Sequence, residues 1–309
     1  MSGAPFLLLQ NDVIMKLRHP FLLLDFGLVA MWSSGYIGAK LAAETESVVL
    51  VLFWRFLLIS LVLMPASIRH TFAAGMRSLW VNGLLGICGM FLQIGCAIVA
   101  IDMGMAAGTV SIIYALQPLL TAAVAGPFLC ERVTAREWIG LSIAFIGVTI
   151  AGGYGGLSAP GVAYLLTLLG TAGMVAATLI AKVSKDATPI LPAIGIQSSF
   201  AAALFLPFAM ADVGLSPPFQ DLTFWLAVGW FILFSTLGAY GLYYLCLRRS
   251  SAVHVGTVLY LTPVVTIAAT WAFFGELITP SKLGGLVICL SGAAISLSKA
   301  VAGSLPASK

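Results

Sequence analysis

Residues 116–134 read LQPLLTAAVAGPFLCERVT, and residues 261–279 read LTPVVTIAATWAFFGELIT. An offset of 145 residues, the distance from 116 to 261, lays Leu116 on Leu261, Pro118 on Pro263, Thr121 on Thr266, Glu131 on Glu276 and Thr134 on Thr279. It also carries Gly140 onto Gly285 and Gly147 onto Gly292. In each copy a proline interrupts an apolar helix, and a glutamate ends it 13 residues later. An internal repeat of this kind fixes the architecture of everything around it. Near the start of each copy the offset becomes 142 residues, laying Tyr36 on Thr178, Lys40 on Lys182 and Arg55 on Gln197. The chain is therefore two homologous halves, 21–153 and 160–300, between a tail at 1–20 and a short tail at 301–309.

The solvent of these halves follows from composition. The chain is 61% hydrophobic and 8% charged, with a mean hydropathy of +1.07. A soluble domain carries about 25% charged residues. A chain this poor in charge cannot cover a water-facing surface, so the lipid bilayer is its partner. About 20 apolar residues cross the roughly 30 Å hydrocarbon core. Segments of that kind lie at 21–41, 47–66, 79–101, 105–130, 136–153, 160–182, 190–211, 222–247, 252–275 and 283–300. The apolar run before Lys16 is too short for a cleavable signal, so the first helix is read as an uncleaved anchor.

Orientation follows from the connections, because lysine and arginine collect on the cytoplasmic side. With the N-terminus inside, the inner segments hold Lys16, Arg18, Arg69, Arg77, Arg132, Arg136, Lys182, Lys185, Arg248, Arg249, Lys299 and Lys309. The outer segments hold Lys40 and Lys282, and Arg55 lies within the second helix. Both termini are expected in the cytoplasm. Five helices per half is an odd number, so the second half enters with the opposite orientation. The predicted fold is an all-α integral membrane protein with ten transmembrane helices in two inverted five-helix repeats. Inverted repeats are a recurring design of secondary transporters, with the substrate near the midplane between them. The link Gly152-Gly153-Tyr154-Gly155-Gly156 follows a helix and has no Lys-Ser/Thr after it, so it reads as a flexible joint and not as a phosphate loop.

Four stretches carry a family resemblance: MWSSGYIGAKLA at 31–42, LFWRFLLISLVL at 52–63, GTVSIIYALQPLLTAAVAGPFLCERVTAREWIG at 108–140 and VLYLTPVVTIAATWAFFGELITPSKLGG at 258–285. Over about 21–299 the chain resembles the EamA family of the drug/metabolite transporter superfamily. The resemblance implies ten helices, a bacterial inner membrane and a role in exporting amino acids or other small metabolites. It names no substrate.

Polar side chains inside membrane helices face the bundle interior or a wet path. At 100° per residue, Ser111, Tyr114, Pro118 and Thr121 fall within an arc of about 80°, with Gln117 at its edge. The equivalent stripe is Tyr260, Pro263, Thr266 and Thr270, with Thr262 at its edge. Asp25, Trp32, Tyr36 and Lys40 align on the first helix, Asn82, Gly86, Gly89 and Gln93 on the third, and Thr236, Tyr240, Tyr243 and Tyr244 on the eighth. The sixth helix lines up Tyr164, Thr167, Thr171, Thr178 and Lys182. These stripes predict a central substrate cavity made by Trp32, Tyr36, Gln93, Tyr114, Gln117, Thr121, Tyr240, Tyr244, Tyr260 and Thr262. Hydroxyls of this kind also serve as packing contacts between helices, at about 0.6 kcal/mol each.

Pro118 and Pro263 remove amide donors and free the carbonyls of Tyr114 and Leu259, so both are predicted hinges. Arg55 sits about 12 Å inside the second helix, either as a structural cation or as an attractor of anions. Asp25, Asp102, Glu131 and Glu276 all lie near helix ends, leaving no obvious mid-membrane proton carrier. Glu131 and Glu276 are boundary residues that could pair with Arg136 and Lys282.

A membrane enzyme would need a nucleophile elbow, an HExxH helix or an aspartate cluster, and the sequence has none of these. A channel would assemble one selectivity element around an oligomeric pore. The expected function is alternating-access transport of a small neutral or zwitterionic solute by a monomer or homodimer, with no cofactor, no metal and no nucleic acid. The five cysteines (Cys88, Cys96, Cys130, Cys246 and Cys289) are scattered and read as apolar filler.

Overall fold

The computed structural model describes residues 4–105, 107–152, 159–274 and 279–297, with side chains described in α1 from residue 22 onward. The glycine-rich link from 153 and Glu276 lie outside the described residues. Among the described residues ten helices follow in order: α1 (Ala4–Ala43), α2 (Val48–Ala74), α3 (Met76–Asp102), α4 (107–129), α5 (Ala135–Gly152), α6 (Gly161–Val183), α7 (Ile190–Asp212), α8 (Leu222–Arg249), α9 (252–274) and α10 (Pro280–Leu297). By length and hydropathy nine of them are able to span a bilayer. The tenth, α5, is 18 residues long with Arg136 and Glu137 in its first turn, or about 27 Å at 1.5 Å per residue. α1 begins at Ala4, so the stretch read as a tail is already helical.

Local signals set several ends. Ser47 caps α2 by accepting from Leu50 N–H, and Asp221 caps α8 by accepting from Thr223 and Phe224. Gly75, at φ 84°, turns the chain between α2 and α3 in a conformation that favours glycine. Cys130 ends α4 in the left-handed region, at φ 54°.

The inversion is written into the helix pairs. α5 packs on α10 over its whole length, and the contacts run antiparallel. A Cβ placed on Gly140 would lie 2.6 Å from Ser296 N and 2.7 Å from Gly292 O, and one on Gly285 would lie 2.5 Å from Ala151 N and 2.6 Å from Gly147 O. Gly140 therefore meets Gly292, the mate of Gly147, while Gly147 meets Gly285, the mate of Gly140. Such reciprocity is the signature of a two-fold axis crossing the helices. Small residues let the two backbones touch, which is how helices associate where lipid removes the hydrophobic drive. α2 and α7, the second helices of the two halves, also run antiparallel. Ser67 of α2 donates to Pro192 O at the start of α7 at 3.2 Å, and Phe56 stacks on Phe205 at 5.8 Å.

α3 and α8 are not regular. Each widens to π-helix in its middle, at Ile87–Leu92 and at Phe231–Tyr240. The 145-residue offset carries 87–92 onto 232–237, so the widening belongs to the repeat. The largest apolar core gathers around these segments, with Leu28, Val51, Phe56, Met90, Met174 and Phe224 among its fully buried members.

Candidate functional site: two broken helices and a polar core

Both helices with a conserved-offset proline are broken rather than bent. α4 consists of Ala107–Tyr114 and Gln117–Leu129, and α9 of Ala252–Leu259 and Thr262–Phe274. At each break the chain tightens. Leu116 N–H bonds to Ile113 O at 3.0 Å, and Leu261 N–H bonds to Val258 O at 3.0 Å. Pro118 and Pro263 are each the second residue of a new helical segment, where a missing N–H costs nothing. Each helix is thus interrupted just upstream of its proline.

The breaks touch each other. Tyr260 donates its hydroxyl to Ala115 O at 2.7 Å, and Ala115 is its own counterpart at the 145-residue offset. Pro118 lies against Gly256, where an added Cβ would sit 3.2 Å from the proline ring. Carbonyls at the α9 break also accept from other helices: Cys289 S–H donates to Tyr260 O at 3.0 Å, and Ser33 O–H to Thr262 O at 3.1 Å. Gln117, Thr121, Thr262 and Thr266 are buried around this crossing, and the Thr262 and Thr266 hydroxyls have no partner among the described residues.

A second cluster lies between the π segments. Tyr240 donates to Gly89 O at 2.6 Å and stands 3.4 Å from Gln93 Oε1. Tyr114 donates to Gln93 O, tying α4 to α3. The Trp32 ring lies 5.5 Å from Tyr240 and 5.4 Å from Tyr243, whose hydroxyl meets Thr178 Oγ1 at 2.6 Å. Tyr244 stands 6.4 Å from Tyr240, ring to ring. Arg55, 1% exposed, donates to Thr236 Oγ1 at 2.8 Å and Ser235 Oγ at 3.0 Å. Its guanidinium lies 4.6 Å from the centroids of both Phe56 and Phe231. These contacts tie it from α2 to the π segment of α8.

The expected cavity residues thus divide. Trp32, Gln93, Tyr114, Tyr240 and Tyr244 gather between α1, α3, α4 and α8. Gln117, Thr121, Tyr260 and Thr262 gather at the α4–α9 crossing. Tyr36, 46% exposed, forms no hydrogen bond or ring contact with either group among the described residues.

The end of the bundle that holds Arg132, Lys182, Lys185, Arg248 and Arg249, the basic end, is bound together around the first turn of α9. Glu131 accepts from Ala252 N–H at 3.0 Å and Val253 N–H at 3.5 Å, a carboxylate at a helix N-terminus. Lys182 lies 3.7 Å from Glu131 and also donates to Ser250 O. His254 Nε2 meets Asp25 Oδ2 at 3.0 Å, joining α1 to α9. Arg136 is not the partner of Glu131. It donates to Ile295 O at 3.0 Å and holds α5 against α10.

Beside this closure, a cavity of about 350 Å³ opens between α3, α6, α7 and α8. Asn82, Lys185, Asp186, Gln197 and Arg248 line it, and the reading from sequence assigned none of them to substrate. The signal available was the pairing of Gln197 with Arg55 in the repeat, together with the polar stripe starting at Asn82. Burial pushes the Asp186 carboxyl up, but hydrogen bonds from Thr188, Asn82 and Ser78 outweigh it and hold the group below its ordinary value. Among the described residues there is no group of three or more His, Cys, Asp or Glu able to hold a metal ion.

Ten apolar helices in two antiparallel-related halves, broken at matching prolines around a buried polar core, define a membrane protein of inverted-repeat architecture. The profile of the EamA-like transporter family matches residues 20–153 and 161–298, one copy per half. The chain belongs to the EamA-like transporter family. It is similar to the uncharacterized inner membrane transporter YedA of Escherichia coli K12, at 24% identity over 85% of each chain. It is also similar to a probable amino-acid metabolite efflux pump of Salmonella typhimurium, at 24% identity over 87% of this chain and 92% of that one. A solved crystal structure superposes with a TM-score of 0.73 over 91% of this chain and 97% of the other, at 16% identity. That likeness is one of fold. The family and the relatives' names point to a transporter and away from an enzyme.

Proposed function

We propose that this protein exports amino acids or closely related small metabolites across a bacterial inner membrane by alternating access, with its basic end in the cytoplasm. The observation that carries the reading is the Tyr260–Ala115 hydrogen bond, which ties the two repeat-related helix breaks together at 2.7 Å. Two broken helices crossing at an inverted-repeat axis give each half a joint of its own, and such joints are where transporters of this design bind and gate. The relatives named as amino-acid metabolite efflux pumps support the substrate class.

The polar core suits a neutral or zwitterionic solute with an apolar or aromatic part. Trp32, Tyr240 and Tyr244 offer ring faces, and Gln93 an amide. A dication would call for a buried carboxylate free to bind it; Asp25, within α1, is paired with His254 at the basic end. The Asp25–His254 pair and the Glu131–Lys182 pair close the basic end around α9, and opening that face requires both to part.

The test is saturable efflux from proteoliposomes loaded in turn with labelled amino acids of different side chains. Efflux of at least one apolar or aromatic amino acid is expected. Transport of dications such as paraquat with no amino acid moved would overturn the substrate class.

A further inference from the structure

The cavity between α3, α6, α7 and α8 combines two features that packing does not require. The first is charge. Lys182 is paired with Glu131, which leaves Lys185 and Arg248 against Asp186, a net charge of +1 at the walls. Lys185 is held at φ 48° in the loop that closes α6, and Arg248 donates one N–H to Thr188 O, leaving most of its guanidinium donors without an acceptor among the described residues.

The second feature is a pair of orphaned oxygens. Gln197 is 1% exposed and donates its amide to Asn82 Oδ1 at 3.3 Å, while Asn82 donates to Asp186 Oδ2 at 2.8 Å. This chain of bonds fixes which way the Gln197 amide faces and leaves Oε1 with no donor among the described residues. Tyr244, 5% exposed, has a hydroxyl in the same condition. Both residues line the cavity, and both oxygens are buried. A buried acceptor with no donor is costly until something supplies one.

Depth and position decide what fits. The lining runs along α7 from Ile190 to Gln197, about 10 Å at 1.5 Å per residue, so the cavity enters the bundle between four helices. A volume of about 350 Å³ is at the small end of ligand pockets. A lipid headgroup there would need its acyl chains to pass between packed helices.

We propose that this cavity binds a small carboxylate with a hydrogen-bond donor on the adjacent carbon, an α-amino or α-hydroxy acid. Its carboxylate faces Lys185 and Arg248, and its donor reaches Gln197 Oε1. The proposal deepens the transport reading by giving the solute a docking point at the basic end. It differs from the aromatic core in recognising the charged end of the solute and not its side chain.

The experiment is calorimetric titration of the full chain in detergent with L-alanine, L-lactate, propionate and n-propylamine. L-alanine or L-lactate is expected to bind at least tenfold more tightly than propionate, which lacks the donor, and n-propylamine, which lacks the carboxylate, is expected not to bind. The two leading probes separate the amino from the hydroxy acid. Lys185→Gln, at an exposed loop position, should weaken the bound probe at least tenfold. Gln197→Glu, which keeps the side chain's shape, should abolish carboxylate binding while the protein remains monodisperse. Binding unchanged by Lys185→Gln, equal affinity for propionate and L-lactate, no binding of any probe into the millimolar range, or competition by anionic phospholipid alone would each overturn the site. Detergent binding needs no transport. Probes that bind wild type by these rules, in a protein that moves no amino acid in proteoliposomes, sink the transport reading and leave the site standing.

Discussion

Gly284 and Gly285 are neighbours on α10, and changing each to alanine should have opposite effects on stability. A Cβ at Gly284 meets nothing within 4 Å. Replacing an exposed helical glycine by alanine removes unfolded-state freedom and gains about 0.5–1 kcal/mol. A Cβ at Gly285 would lie 2.5 Å from Ala151 N and 2.6 Å from Gly147 O. Ordinary contact begins near 3.4 Å, so α5 and α10 would have to separate locally by about 0.9 Å. Both obstacles are backbone atoms, which have no rotamer to move into. Overpacking of this kind costs about 1–3 kcal/mol, and the same propensity gain offsets part of it, leaving a net loss of up to about 2.5 kcal/mol. The inverted repeat adds a further constraint. Gly140 is the mate of Gly285 and meets Ser296 N at 2.6 Å, so Gly140→Ala should lose a similar amount. Thermal unfolding of the three variants in one detergent measures the set. If Gly285→Ala proves as stable as Gly284→Ala, the close backbone contact is wrong. If Gly140→Ala and Gly285→Ala differ by more than about 1 kcal/mol, the two-fold relation does not govern the packing.

Pro118→Ala and Pro263→Ala should leave substrate affinity within about tenfold of wild type, or 1.4 kcal/mol, while transport in proteoliposomes falls much further. Wild-type rates in both variants would make the breaks static. Reporter fusions after Lys185 and after Arg249 should read cytoplasmic, and one after Asp221 external; a cytoplasmic reading at Asp221 would reverse the inversion. Asp186 has a depressed folded-state value, so its contribution to stability is present above its unfolded value of about 3.9 and is lost as pH falls through the lower folded one. The unfolding midpoint of Asp186→Asn should therefore lie below wild type at neutral pH and converge with it in acid. A gap that does not change with pH refutes this role.

The repeat was legible because its residues act through the backbone. A proline that starts a segment and a glycine that admits another helix leave no choice of residue, so Pro118 with Pro263 and Gly140 with Gly285 stand out at one offset. The widening of α3 and α8 was not legible, because a π segment differs from an α-helix by one hydrogen-bond step and shares its residue preferences. Partner choice was also hidden. Arg136 is five residues from Glu131 in sequence, yet the fold brings Lys182 of α6 to it at 3.7 Å. Arg55 was visible as a lone cation, but its hydroxyl partners Ser235 and Thr236 come from the other half of the chain. The aromatic stripes predicted one cavity. The structure sorts those residues into a crossing at α4–α9 and a cluster at α3–α8, because the helix breaks redirect the faces that a straight wheel would align.

The central claim is that one polar core opens by turns to the two sides of the membrane. Counterflow tests it most directly. Proteoliposomes are preloaded with a high concentration of an unlabelled amino acid that the efflux assay has identified, then diluted into a trace of the labelled form. Alternating access predicts a transient internal accumulation of label above equilibrium, abolished when the unlabelled solute is omitted. Label that only approaches equilibrium, at the same rate with or without internal solute, would show an open pore and contradict the account.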